Sequence, residues 1–443
     1  MMQGGPKSIS RRTLLGTGAM LGVAAAGLRP AWSADESPIG TFPAGTQGDS
    51  VFFGLGCEST GPYSAQGGDM LKGYELAIKH LNENNGLITS ITGASKPGIL
   101  GKKVTYQNAD TASNPNNAVQ AFSRFISQNK AIMISGSVSS AVAIAAQKLG
   151  DREKVIYLAG ISGSNETTGV DCQRYGFRAC HFAYTAAAAL APVLAKELGT
   201  TRKVAYLVPD YTYGRTVLAS MKKFTEAKGW KTVTEQLCPL GSTDYSSYLL
   251  NMMASGADTL VNICFGADAV NSTKQAAQFG ALKQMKLVMP YAAPFFANEV
   301  GPDIMEGVYG TTEFWWTLED HNDKAKQFVT EFNKAYNYKP EWGAHIAYLQ
   351  TALYARAVEK AGTFRPVEVI KEYEKGEKID TTIGEVYWRA SDHQLVRPVY
   401  VIKGKAKKDM KSKDDYYDIV ATVPGEQVMP PEGELGCKLG SYT

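Results

Sequence analysis

At 443 residues the chain exceeds one ordinary domain, and two lobes are the natural expectation. Hydrophobic residues make up 44% and charged ones 20%, with no low-complexity tract, a composition that excludes a disordered or fibrous chain. The formal charge of +3 is an N-terminal effect: Lys7, Arg11, Arg12 and Arg29 are four of the 46 basic residues set against 43 acidic ones, so the remainder is near neutral and no nucleic-acid partner is expected.

In chain order, Ser10-Arg11-Arg12-Thr13-Leu14-Leu15 opens an apolar stretch, residues 14–28, that is too short and too rich in Gly and Ala to span a bilayer. Small residues at 31–34 offer a cleavage site. The pattern resembles a bacterial twin-arginine export signal, so residues 1–34 are expected to be removed and the product to reside in the periplasm. A Gly/Pro-rich linker, 35–49, follows.

A first buried strand is predicted over 51–56, then a loop, then an amphipathic helix over 69–83 that Asn84-Asn85-Gly86 stops. The loop holds neither G-x-G-x-x-G nor a P-loop lysine, so no nucleotide cradle is expected there. A strand at 104–108 and a helix at 115–128 come next. Residues 131–136 form an apolar run that ends in Ser137, Ser139 and Ser140 and passes at once into an Ala-rich helical pattern. A second strand, 155–159, ends in a similar turn containing Ser162, Gly163 and Ser164. A helix N-terminus presents unpaired backbone N–H groups and favours negative charge. The first turn is therefore a candidate cradle for a carboxylate, with Ser139 as a simple helix cap the competing reading.

The alternation then repeats, with strands at 204–208, 232–237, 260–265 and 287–289 and helices at 213–228, 246–254 and 267–279. Two successive α/β series predict two lobes with parallel sheets and a ligand crevice between them. A long helix at 343–361 and a β-rich end (384–388, 399–402, 417–422) complete the lobes, so the chain crosses between them more than twice.

Six cysteines in an oxidising compartment suggest disulfides. Cys172 and Cys180 are close enough to close a small loop, and Cys238 with Cys437 is a second possible pairing; connectivity does not follow from sequence. Cys57 and Cys264 read as buried thiols. The spacings fit no zinc pattern and the five histidines are scattered, so no metal and no cofactor are expected. There is no G-x-S-x-G elbow and no H-E-x-x-H, and Ser139 has no evident base, so the chain is not expected to be an enzyme.

Thr60-Gly61-Pro62-Tyr63, residues 110–115, Gly136 to Ser140, Asp210-Tyr211-Thr212-Tyr213-Gly214, Arg389-Ala390-Ser391-Asp392-His393-Gln394 and Asp415-Tyr416-Tyr417 follow one another with a familiar order and spacing. In this the chain resembles the type I periplasmic binding proteins, and more narrowly the leucine/isoleucine/valine-binding branch of the solute-binding proteins of ABC importers. The resemblance implies two Rossmann-like lobes joined by a three-segment hinge, here 50–180 plus 312–390 and 181–311 plus 391–443. It also implies a monomer that closes on a small ligand and delivers it to a membrane permease and ATPase.

Carried over by position, Ser139 and Ser140 match the turn that holds a ligand carboxylate, and Ser162, Gly163 and Ser164 the second turn. Tyr213 and Phe265 match aromatic positions of the second lobe. One departure stands out. Where amino-acid binders place an acid after the 287–289 strand, this chain reads Pro290-Tyr291-Ala292. A buried ammonium without an anionic partner is costly. Either Glu58 substitutes from the other lobe, or the ligand has no ammonium. With Tyr63, Gln66, Tyr291 and Trp315 as further contacts, a flat or aromatic carboxylate is favoured. A ligand sensor, or a binder of neutral amides or urea, is the alternative.

Overall fold

The computed structural model describes residues 48–442, so the expected export signal and nearly all of the linker lie outside the described residues. Two mixed sheets organise the chain. The strands of the first are β1 (Ser50–Gly56), β2 (Lys103–Asn108), β3 (Ala131–Gly136), β4 (Ile156–Ala159) and β5 (Gly176–Arg178). The strands of the second are β6 (Lys203–Pro209), β7 (Lys231–Cys238), β8 (Thr259–Asn262), β9 (Lys286–Tyr291) and β10 (Tyr309–Thr312). β11 (Ile379–Thr381), β12 (Gly384–Arg389) and β13 (Gln394–Val396) return to the first, and β14 (Val399–Gly404) and β15 (Tyr417–Val423) to the second.

The spatial orders are β11-β12-β13-β5-β4-β3-β1-β2 and β15-β14-β10-β9-β8-β6-β7. β1 to β5 pair in parallel, as do β6 to β10, and the late strands add antiparallel edges. β3, β4 and β8 are buried at every residue, as strands covered on both faces must be. The expected two-lobed α/β fold is thus present, and the chain passes between the sheets after β5, after β10 and after β13.

Three expectations change. The second lobe was expected to resume at 391, yet β13 stays in the first sheet. Its Gln394 accepts from Arg178 Nε at 2.6 Å and donates to the Cys180 carbonyl at 2.8 Å, which ties it to β5 and places the crossing at Arg397. The predicted 260–265 strand ends at Asn262, whose side-chain oxygen takes the Cys264 N–H at 3.0 Å and turns the chain. The disulfide is Cys172–Cys437, and neither of the two suggested pairings occurs. Cys180 is buried and free beside the Ser162 carbonyl, because β5 carries it away from Cys172. The C-terminal segment runs from β15 past Lys223, which pairs with Glu434 at 2.5 Å, and returns to the first lobe at Cys172.

Candidate functional site

The two serine turns sit where β3 and β4 end, side by side at the carboxyl edge of the first sheet. Gly136 has φ +123°, and a Cβ there would lie 2.7 Å from the Gly56 carbonyl, so β1 and β3 approach at the turn only because residue 136 is glycine. The start of this turn holds a carboxyl group of the protein's own. Glu58 takes the Ser137 hydroxyl at 2.6 Å, the Thr111 hydroxyl at 3.1 Å and the Val138 N–H at 3.1 Å. Burial pushes its carboxyl pKa up, and these hydrogen bonds pull it part of the way back. With its oxygens occupied, Glu58 serves the turn and is not placed to receive an ammonium.

Ser139 and Ser140 are both buried, and the Ser140 hydroxyl accepts the Ser164 N–H at 3.2 Å, joining the two turns. The hydroxyls of Ser162 and Ser164 meet that of Thr167 at 2.9 and 3.1 Å. The carbonyls of both receive the Arg178 guanidinium. Ser140, Ser162 and Ser164 therefore brace the turns, the Ser139 side chain makes no cap bond to its helix, and the apolar Val138 and Ile161 of the two turns face a small interlobe cavity.

That cavity is completed by Trp342 of the first lobe, by Tyr211, Tyr213, Phe265 and Tyr291 of the second, and by Glu313 at the second crossing. The rings form one interlocking wall: Tyr213 to Tyr291 is 5.5 Å between centroids, Phe265 to Trp342 5.4 Å and Tyr291 to Trp342 6.0 Å. Tyr63 lies behind Phe265 at 5.9 Å and shares a 2.6 Å hydrogen bond with the Tyr211 hydroxyl, a contact between lobes. A Cβ on Gly163 would come within 3.1 Å of both Tyr213 and Tyr291, so the second turn contributes backbone and closeness here. Gln66 stands at the rim beside Gly266, in an adjoining groove.

Two donors in the wall have no partner among the described residues, the Tyr213 hydroxyl and Trp342 Nε1, although both side chains are buried. Burial pushes the Tyr213 phenol well up, so it keeps its proton. The acid in the wall is already engaged. Glu313 Oε1 takes the His181 N–H at 2.7 Å and lies 2.8 Å from His181 Nδ1, while Oε2 lies 2.7 Å from Arg397 Nη1.

Of the residues expected from the sequence, Tyr213, Phe265 and Tyr291 line the cavity directly. Trp315 does not. It lies in the second lobe's core, with its ring N–H on the Tyr417 carbonyl at 3.1 Å, because the chain turns away from the cleft after Glu313. Trp342, Tyr211 and Glu313 were missed. Tyr211 lay within the quoted 210–214 motif; Trp342 begins a helix whose apolar face otherwise reads as core. No group of three or more metal-ligating side chains occurs among the described residues, and no helix there is long and apolar enough to cross a membrane.

Trp342 owes its position to Asp69, which accepts the Ala344 N–H at 2.6 Å and the Tyr338 hydroxyl at 2.9 Å. Burial pushes the Asp69 carboxyl from its ordinary 3.8 up to about 6, against those hydrogen bonds. A carboxyl that holds its proton more tightly folded than unfolded makes stability fall as pH rises between these two values and level off above the higher one. Unfolding in urea between pH 4 and 7 should show a decline of about 3 kcal/mol from this group, the worth of a two-unit shift. Asp69→Asn should flatten that part of the curve; a decline of the same size in the variant would remove Asp69 as its source.

A family described as periplasmic binding protein matches residues 50–409. The Leu/Ile/Val-binding protein homolog 7 of Brucella abortus is 25% identical over 317 residues, covering 69% of this chain and 76% of that one. The solved amino acid ABC transporter substrate-binding protein of Pseudomonas fluorescens Pf-5 superposes with a TM-score of 0.79 at 25% identity, over 88% of this chain and all of that one. A Rhodopseudomonas palustris solute-binding protein solved with benzoate has a TM-score of 0.74 at 19% identity, over 88% of this chain and all of that one, a likeness of fold.

Proposed function

The chain belongs to the periplasmic binding protein family, and on that premise we propose that it is the solute-capturing component of an ABC importer whose cargo is a small, flat carboxylate without an ammonium group. After export it acts in the periplasm as a monomer, closing on the ligand and presenting the closed form to the permease. Closure is a shift in population toward the state that both lobes contact.

The observation that carries the ligand class is the pair of unpartnered donors, Tyr213 and Trp342 Nε1, in a wall made of aromatic and aliphatic groups apart from the ion-paired Glu313. Buried donors left unpaired are costly, and ligand acceptors would relieve them. An ammonium would have to compete with the ion pairs of Glu313 to His181 and Arg397, although Glu313 Oε2 itself accepts no hydrogen bond, and Glu58 is held by the first turn. The aromatic walls suit a planar body. The benzoate in complex with the Rhodopseudomonas solute-binding protein is a ligand of that chemistry, on the same fold.

A thermal-shift screen of the ligand-stripped protein tests the reading, using benzoate and hydroxybenzoates, short aliphatic acids, Leu, Ile, Val, Phe, and neutral amides. A ligand that binds only the folded state raises Tm by mass action. Shifts with aromatic acids and none with α-amino acids are the expected outcome; stabilisation by amino acids alone overturns the ligand class and leaves the family untouched. Tyr213→Phe should weaken binding of the best acid about ten-fold, the worth of one hydrogen bond to a charged acceptor. The empty variant should be no less stable than wild type, since the lost hydroxyl had no partner. Isothermal titration and the empty-state Tm decide it together: an equal fall in both points to a packing role.

A further inference from the structure

Besides the Cys172–Cys437 bridge, Cys57, Cys180, Cys238 and Cys264 are free and buried. Two of them meet. Cys238 ends β7, Cys264 follows β8, and β6 lies between those strands in the sheet. Past the carboxyl end of β6 their sulfurs converge to 3.8 Å, and Cys238 Sγ also rests 3.5 Å from the Val208 carbonyl. The side chains are 0% and 1% exposed, in a core of Leu207, Tyr245 and Met289. The residue after Cys264 is Phe265, part of the cavity wall.

We propose that Cys238 and Cys264 close as a second disulfide while the exported chain folds, and that this bond pins the cavity wall at Phe265. The sulfurs need to approach by about 2 Å to reach covalent length, and because β6 separates the two strands the chain after Asn262 must close part of that gap. The rival reading, two inert thiols packed as small apolar groups, explains their burial equally well. It gives no reason for two of four free thiols to converge in a chain that already carries one disulfide.

The oxidant is a protein or small-molecule disulfide of the kind that maintains an oxidising compartment. One cysteine thiolate attacks the donor disulfide, forming a mixed disulfide and releasing one donor thiol. The second cysteine, deprotonated in turn, displaces the remaining donor sulfur. The pair loses two protons and two electrons, and the donor disulfide becomes a dithiol. Burial and the neighbouring Cys238 push the Cys264 thiol well up in the packed core, so exchange belongs to folding, before β7 and β8 are sealed. The proposal shares with the functional reading only the export of the chain and does not depend on the ligand.

The test is a thiol count. The full chain is exported through its own signal, quenched in acid, and alkylated in guanidinium without reductant. Two modified cysteines are expected, Cys57 and Cys180, and the unreduced digest should contain a peptide pair joining Cys238 to Cys264. Four modified cysteines, in chains whose Cys172–Cys437 bond is intact, overturn the proposal, since the intact bond proves exposure to oxidant. In Cys264→Ala three should be modified, and a bond from Cys238 to any other cysteine also overturns it. Amide exchange at residues 263–266 should be about ten-fold slower in wild type than in Cys238→Ala/Cys264→Ala; equal exchange removes the claim on the wall. A negative thiol count leaves the ligand screen unaffected, so the two readings fail separately.

Discussion

Gly266→Ala is expected to weaken ligand binding by about 100-fold while leaving each lobe folded. Gly266 opens the helix Gly266–Gln278 with φ +59°, where an L side chain costs roughly 1 kcal/mol whether or not the lobes meet. The larger cost exists only in the closed form. A Cβ at this position would lie 2.4 Å from the Pro62 carbonyl and 2.8 Å from the Tyr63 ring, both on the other lobe. The next residue, Ala267, donates its N–H to that same Pro62 carbonyl at 2.9 Å, so this is where the lobes are sewn together. Backbone cannot yield as a flexible side chain does, and the lobes would have to part. A closed-state penalty near 3 kcal/mol lowers the competent population and the apparent affinity by the same factor. Titration with the best acid from the screen, beside the Tm of the empty protein, gives the answer. Affinity within about three-fold of wild type would mean that ligand is held without contact at Pro62.

The fold was legible because its strands announce themselves. β3, β4, β6 and β9 are apolar runs bounded by turn residues, and the period-3.6 stripes between them are long enough to read as helices. What escaped was short or defined by partners far away in the chain. β5 and β13 have three residues each, and β13 belongs to the first sheet only through Gln394 and Arg178, 216 positions apart. The disulfide partner of Cys172 lies 265 positions away, a relation no local pattern encodes.

The site was legible at Tyr213, Phe265 and Tyr291, aromatic residues at the carboxyl ends of second-lobe strands, where α/β crevices open. The serine turns were legible as anion-binding grammar, but sequence could not say which anion. Glu58, in the loop after β1, folds back on the turn, where its partners are Ser137 and Val138 and not Ser139 or Ser140. Trp315 and Trp342 show the limit from the other side: two tryptophans of equal apolar weight, one consumed by the core and one left with a bare N–H at the cavity.

Arg397→Met should cost about 3–5 kcal/mol of stability, the largest loss expected from any single change at the hinge. Each of the three crossings between sheets supplies one member of a single buried cluster: His181 after β5, Glu313 after β10 and Arg397 after β13. Arg397 pairs with the Glu313 carboxylate at 2.7 Å and also donates to the Glu313 carbonyl. Removing the guanidinium leaves Glu313 with half of its oxygens unpaired in a site only 3% exposed. The strain falls on the cavity as well, since His181 stacks on Tyr291 at 4.9 Å and holds Thr311 Oγ1 at 3.0 Å. Glu313→Gln/Arg397→Met removes both charges with little change of volume and should recover most of the loss, because an uncompensated charge is worse than none. Urea unfolding of the two variants separates the contributions. If the double variant is as unstable as the single one, the guanidinium matters for its packing and its carbonyl contact, and charge pairing across the hinge is not what binds the three crossings. If it recovers, charge balance among His181, Glu313 and Arg397 is what holds the three crossings together.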